Sequence, residues 1–123
     1  MTDTAQVRFV AEVSSNHHRD QRRCHQFIDV AADIGCDAVK FQLFELDQLF
    51  APEILARSEL HRRRRQWELP PELLPELAEH CRERGVGFSC TPFFLEAVST
   101  LEPHVEFYKI ASYELIWQEL IRW

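Results

Sequence analysis

The chain is short of glycine, with three in 123 residues. No GxGxxG and no Walker-type loop follows any predicted strand, so dinucleotide- and P-loop-binding readings have no support. Long hydrophobic runs are missing too, and no apolar stretch would span a bilayer. Met1-Thr2-Asp3-Thr4 carries neither the basic region nor the apolar core of a signal peptide, so the expected compartment is the cytoplasm. Cys24, Cys36, Cys81 and Cys90 show no CxxC spacing. Each sits among apolar or small residues, which predicts reduced core cysteines. Positive charge is in deficit: the formal net charge is -6, against general nucleic-acid binding. The exception is His61-Arg62-Arg63-Arg64-Arg65, followed by Gln66-Trp67-Glu68. It is short and local, and reads as a solvated helix face or loop, with an anionic partner as the alternative.

What is present is a balance of 46% hydrophobic and 28% charged residues, that of a globular domain or a piece of one. Arg8–Val13 reads as a first strand. Asp20 is a fair helix start, and Cys24, Phe27, Ile28 and Ala31 recur at helical spacing. Gly35 is placed to end that helix in the left-handed conformation. Asp37–Gln42 is the second strand. Residues 43–69 are long for a connection; Phe44, Leu46, Leu49 and Phe50 suit packing under a lid, and Pro52 suits the start of a short helix through Leu55 and Leu60. Pro70-Pro71 opens the next helix, in which Pro75 is tolerable only if regular helix starts late or bends. Val86–Thr91 is a third strand stopped by Pro92, Leu95, Val98 and Leu101 mark another helix, Val105–Ile110 is a fourth strand, and Ile116–Trp123 starts a fourth helix. Strand and helix alternating four times predict a parallel sheet. A full barrel needs roughly 250 residues and eight strands. The expected fold is therefore α/β, the first half (about four βα units) of a TIM (β/α)8 barrel, with 1–123 as a partial domain truncated at its C-terminus.

The second strand holds the informative anomaly. A strand covered on both faces is almost wholly apolar, yet Lys40 and Gln42 interrupt this one, two residues apart and so on one side. A lysine in a sheet costs several kcal/mol unless it has a partner or a ligand. Other polar residues fall at strand ends as well: Glu12, Thr91, Lys109 and Ser112. In a β/α barrel that rim is where active sites form. Two lysines, a carboxylate and hydroxyls at one rim suit a small, highly charged anion. Thr91 and Ser112 are placed to bond phosphate oxygens, and Glu12 to pair with a lysine or move a proton. The bland alternative is that Glu12, Lys40 and Lys109 simply pair with one another.

Ala11-Glu12 with Ser15-Asn16-His17, then Val39-Lys40-Phe41-Gln42, then Thr91-Pro92-Phe93, then Lys109-Ile110-Ala111-Ser112 with Glu114, follow in the order seen in N-acetylneuraminate (sialic acid) synthases. The chain resembles that family from about Phe9 to its last residue. The resemblance implies a TIM-barrel enzyme, a C–C bond-forming transferase. It would condense phosphoenolpyruvate with an N-acetylated amino sugar, giving a nine-carbon 2-keto acid and phosphate. It implies Glu12, Lys40 and Lys109 as catalytic residues, Thr91, Lys109 and Ser112 as phosphoenolpyruvate ligands, and Gln42 and Glu114 near the metal and sugar. It also implies a divalent cation, Mn2+ or Mg2+, as Lewis acid, with ligands mostly outside this chain and none assigned within it, and a homodimer at full length, with no nucleic acid and no membrane.

Two positions depart from the family pattern. Asn16-His17-His18-Arg19 stands where Asn-His-Asn-Gly is common, and Tyr113 where glycine often precedes the glutamate. Tyr113 is closer to the aromatic of pseudaminic acid synthases, and both changes bear on the sugar more than on phosphoenolpyruvate. His17 is expected to hold the loop after the first strand; His25, His61, His80 and His104 are expected at the surface. The competing expectations are an inactive half-barrel that only binds anions or associates, and a related phosphoenolpyruvate-dependent sugar-phosphate synthase. The fragment alone is expected not to turn over, and its open edges to aggregate or self-pair.

Overall fold

A computed structural model describes residues 6–123; Met1–Thr4, read above for targeting signals, lies outside them. The first strand, β1, is Val10–Ser14. Helix α1, Gln21–Asp33, begins where Asp20 accepts the Arg23 backbone N–H on its side chain, and Gly35 follows it at φ +83°. Next come β2, Ala38–Leu43, and an excursion of short helices: α2, Leu46–Leu49; α3, Pro52–Arg57; α4, Glu59–Arg62; and a 3-10 turn, Arg63–Trp67. The single helix expected from Pro52 is broken at Ser58, whose side chain caps α4 by accepting the His61 N–H. Pro71–Leu73 is a 3-10 turn, and α5 starts only at Leu74 and runs to Arg84. Pro75 thus falls in its first turn, where a missing N–H costs nothing. Strand β3 is Gly87–Pro92, α6 is Leu95–Leu101, β4 is Phe107–Tyr108, a 3-10 turn covers Ser112–Glu114, and α7 is Gln118–Arg122. The fourth strand is therefore much shorter than Val105–Ile110, and the last helix starts two residues late.

The sheet is wholly parallel in the order β1-β2-β3-β4. Right-handed crossovers that always step the same way put every helix on the same face. The core shows this. Val13, Val39, Phe41, Leu43, Phe88 and Cys90 point from the strands into one cluster with Cys24 and Ile28 of α1, Leu74, Leu77 and Cys81 of α5, and Ala97 and Leu101 of α6. Each fully buried Leu, Ile or Phe there contributes about 1.5–3 kcal/mol. The cysteines are free, as expected; Cys24, Cys81 and Cys90 are buried and Cys36 half-buried. Burial pushes the Cys24 thiol up to about 11 and Cys81 to about 12. No helix among the described residues is long and apolar enough to cross a membrane.

The opposite face carries the alternate residues in register. Val10, Ala38 and Gly87 form the lowest row. Glu12, Lys40, Ser89 and Phe107 form the next, and Gln42 and Thr91 the one above. Below these, Arg8 crosses to Glu106 at 3.3 Å. A methyl at Gly87 would meet the Glu106 carboxylate at 2.2 Å, so the missing side chain there makes room for that bridge.

Candidate functional site

The anomalous lysine has a partner. Lys40 Nζ lies 3.0 Å from Glu12 Oε2, with the lysine side chain 18% exposed. Glu12 Oε1 accepts the Ser14 backbone N–H at 3.0 Å and Gln42 Nε2 at 3.4 Å. One carboxylate therefore gathers a lysine, an amide and a backbone donor at the β1–β2 boundary. Strand alternation makes this happen: Glu12 and Lys40 are direct register partners, and Gln42 is one row up on the same face.

The bland pairing alternative holds for Lys40 but not for Lys109. Lys109 follows β4 directly, and its backbone N–H donates to the Cys90 carbonyl. It is half-buried and in no ion pair among the described residues. Thr91, on the neighbouring strand β3, is 2% exposed. A half-buried cation without a carboxylate, one strand from a buried hydroxyl, is suited to an anion. Ser112 lies on the exposed 3-10 turn and makes no side-chain hydrogen bond to these groups. Of the expected site residues it is the one the fold brings least into the cluster.

Gln42 and Glu114 meet in a different way. Both line an open cavity of about 560 Å3 at the C-terminal rim, walled by Phe50, Trp67, Phe93 and Tyr113, with Arg64 at one side. The excursion supplies Phe50, Arg64 and Trp67. Sequence reading did not single out Arg64, since nothing distinguishes it within a run of four arginines. The run is otherwise anchored rather than free: Arg62 donates to the Leu55 carbonyl, Arg63 to Glu59 and Arg65 to Asp47.

His17 is wholly buried, and its Nδ1 accepts the Arg19 N–H at 2.9 Å. It holds the loop and lies behind the sheet, tilted against Phe41. His25, His61, His80 and His104, expected at the surface, are half-buried, while His18 is exposed. His25 and His80 stack at 4.2 Å between α1 and α5, with His80 on Asp29 at 2.8 Å. Among the described residues no group of three or more His, Cys, Asp or Glu side chains is arranged to hold a metal ion. The residues present do not compose a site for the divalent cation that the family resemblance implies, and no step below passes through it.

Comparison with known proteins bears on the family and the fold. The NeuB family profile matches residues 27–123. Spore coat polysaccharide biosynthesis protein SpsE of Bacillus subtilis (strain 168) is 31% identical over 121 residues, covering 90% of this chain and 32% of that protein. N,N'-diacetyllegionaminic acid synthase of Campylobacter jejuni is 32% identical over 117 residues, covering 86% of this chain and 35% of that protein. The crystal structure of N-acetylneuraminic acid (sialic acid) synthetase from Leptospira borgpetersenii, in complex with citrate, superposes with a TM-score of 0.83 at 28% identity. It covers 94% of this chain and 39% of that one. The chain thus spans about a third of the length of the curated relatives it matches, and its four βα units correspond to the N-terminal part of a synthase barrel.

Proposed function

The chain belongs to the NeuB family, and from that premise we propose that it forms the phosphoenolpyruvate-holding part of an enzyme making a nine-carbon 2-keto sugar acid. The observation that carries this reading is the pair of lysines at one rim, one held by a carboxylate and one without any.

Lys109 and Lys40 offset the phosphate and carboxylate charges, and the Thr91 and Ser112 hydroxyls bond phosphate oxygens. Glu12 keeps Lys40 aimed and is placed to move a proton. Gln42 and Glu114 orient the acceptor, an N-acetylated amino sugar in its open-chain form. The enol carbon bonds to the aldehyde carbon, water adds to the neighbouring carbon, and phosphate leaves, so that the 2-keto acid remains. The catalytic residues in this reading are Glu12, Lys40 and Lys109.

Calorimetric titration of the chain with phosphoenolpyruvate tests it. Lys40→Ala and Lys109→Ala should each weaken binding roughly tenfold to a hundredfold, as loss of a charged hydrogen bond predicts, with the far-ultraviolet dichroism unchanged. If Lys40 served Glu12 alone, Lys40→Ala would leave the affinity intact, and that outcome removes the reading.

A further inference from the structure

One peptide group, between Val13 and Ser14, is held from both ends. Its N–H donates to Glu12 Oε1 at 3.0 Å. Its carbonyl accepts from Asn16 twice, at 3.0 Å from the side-chain Nδ2 and at 3.2 Å from the backbone N–H. Here β1 carries one residue more than β2. Glu12 pairs with Lys40, but Ser14 pairs with Phe41, and the extra residue, Val13, stays in the buried core. Bulges of this kind re-aim groups beside functional sites.

Ser14 bears the strain of the arrangement. Its φ is +54°, a conformation that a residue with a Cβ adopts reluctantly. Turning the same peptide over by half a turn would bring Ser14 to roughly −125°, ordinary extended backbone. It would also carry the N–H away from Glu12. The relaxed chain therefore loses the donor, and the strained chain keeps it. Strained backbone persists only where its surroundings hold it. Asn16 holds it at the carbonyl, and Arg23 of α1 donates to the Asn16 carbonyl at 2.5 Å, which anchors the turn to a helix. A turn that only led the chain into α1 would be served by the Asn16 backbone N–H; the side-chain amide adds a second donor to the same carbonyl.

We propose that Asn16 is a positioning residue: by locking the Val13–Ser14 peptide it keeps Glu12 Oε1 occupied, so that Oε2 is turned to Lys40 Nζ at 3.0 Å. Glu12 then has one orientation, and the Lys40 ammonium one place. This rests on the synthase reading above, in which Lys40 meets phosphoenolpyruvate, and adds to it the loop residue that aims the pair.

The test reads two quantities in the chain, the residue-14 amide proton by NMR and phosphoenolpyruvate affinity by calorimetry. The wild-type amide proton should lie downfield, as a charge-assisted hydrogen bond requires. Glu12→Gln and Asn16→Ala should each move it upfield. Asn16→Ala should also weaken phosphoenolpyruvate binding about fivefold, one hydrogen bond's worth, and should have no further effect once Lys40 is replaced by alanine. Adding Ser14→Gly to Asn16→Ala removes the penalty on positive φ and should restore both the signal and the affinity. The proposal falls if Asn16→Ala leaves the amide proton where it was, or leaves unchanged the affinity of a chain that binds phosphoenolpyruvate. It falls equally if the effect persists in the Lys40→Ala background or if Ser14→Gly restores nothing, the two results a merely loosened loop would give. A wild-type chain that binds no phosphoenolpyruvate, with an amide proton that responds as described, would remove the synthase reading and leave the Asn16 lock standing.

Discussion

Burial sets the chemistry of His17. With no exposed surface and the Arg19 guanidinium nearby, its imidazole is held down at about 4, against an ordinary value of 6.5. Its Nδ1 accepts a backbone N–H, which fixes it as neutral with the proton on Nε2. The unfolded chain therefore binds a proton here between pH 6.5 and 4 that the folded chain refuses. The resulting stability is fully present above 6.5 and is lost as pH falls toward 4. From pH 7 to pH 5 this single group should remove about 2 kcal/mol, at about 1.4 kcal/mol per pH unit below 6.5. Urea melts at the two pH values check it: His17→Asn should lie flatter by that amount, and parallel slopes would show that burial is not acting on this ring. The sequence marked His17 as a loop-holding residue. It could not show the depth of burial, because that depends on Phe41 lying behind the ring.

Among elements, the loop from β1 to α1 carries an unusual backbone. Ser14, His18 and Arg19 all have positive φ, at 54°, 51° and 60°, where a non-glycine residue costs roughly 1–2 kcal/mol. His18 and Arg19 occupy the positions where the family pattern favours Asn and Gly, residues suited to that conformation. Arg19 compensates with a tie: its guanidinium donates to the Glu68 carbonyl at 3.1 Å and the Arg65 carbonyl at 3.4 Å, and lies 3.7 Å from the Glu68 carboxylate. Glu68 in turn accepts the Leu46 N–H at 2.7 Å and so starts α2. One loop thus fastens both ends of the excursion that bears Arg64. His18→Gly should stabilise the chain by about 1 kcal/mol, as relief of backbone strain alone predicts. Arg19→Gly relieves the same strain but cuts the tie, so amide exchange across residues 46–67 should quicken even where the global melt does not fall. Equal stabilisation by the two, with unchanged exchange, would show that the tie holds nothing. The existence and order of β1, α1, β2, α5, β3 and α6 were legible because each has its own period, cap or stop. The excursion was not: its helices run four to six residues, too short for a period to show, and they are fixed by contacts with residues far away in the sequence.

At the scale of the whole molecule, four parallel strands with helices on one face leave a second face and two sheet edges to account for. The half-barrel was readable because the polar residues Glu12, Lys40, Gln42 and Thr91 share one strand parity while the core residues share the other. Lys109 joined them by order alone, since the strand before it is only Phe107–Tyr108. At the β1 edge Val7, Phe9 and Val10 are exposed, Phe9 by 65%. Near β4 Leu115, Ile116, Ile121 and Trp123 are exposed, Ile116 by 88%. Unpaired strand edges flanked by apolar side chains are templates for further pairing. As an isolated 123-residue polypeptide the chain should therefore sediment above its monomer mass of 14.6 kDa at micromolar concentration. Phe9→Lys with Ile116→Lys, one charge at each edge, should shift the distribution toward monomer without disturbing the Lys40 row, because neither residue touches the buried cluster. Sedimentation velocity reads both outcomes. A wild-type chain that runs as a single 14.6 kDa species and melts cooperatively would mean that the exposed edges attract nothing.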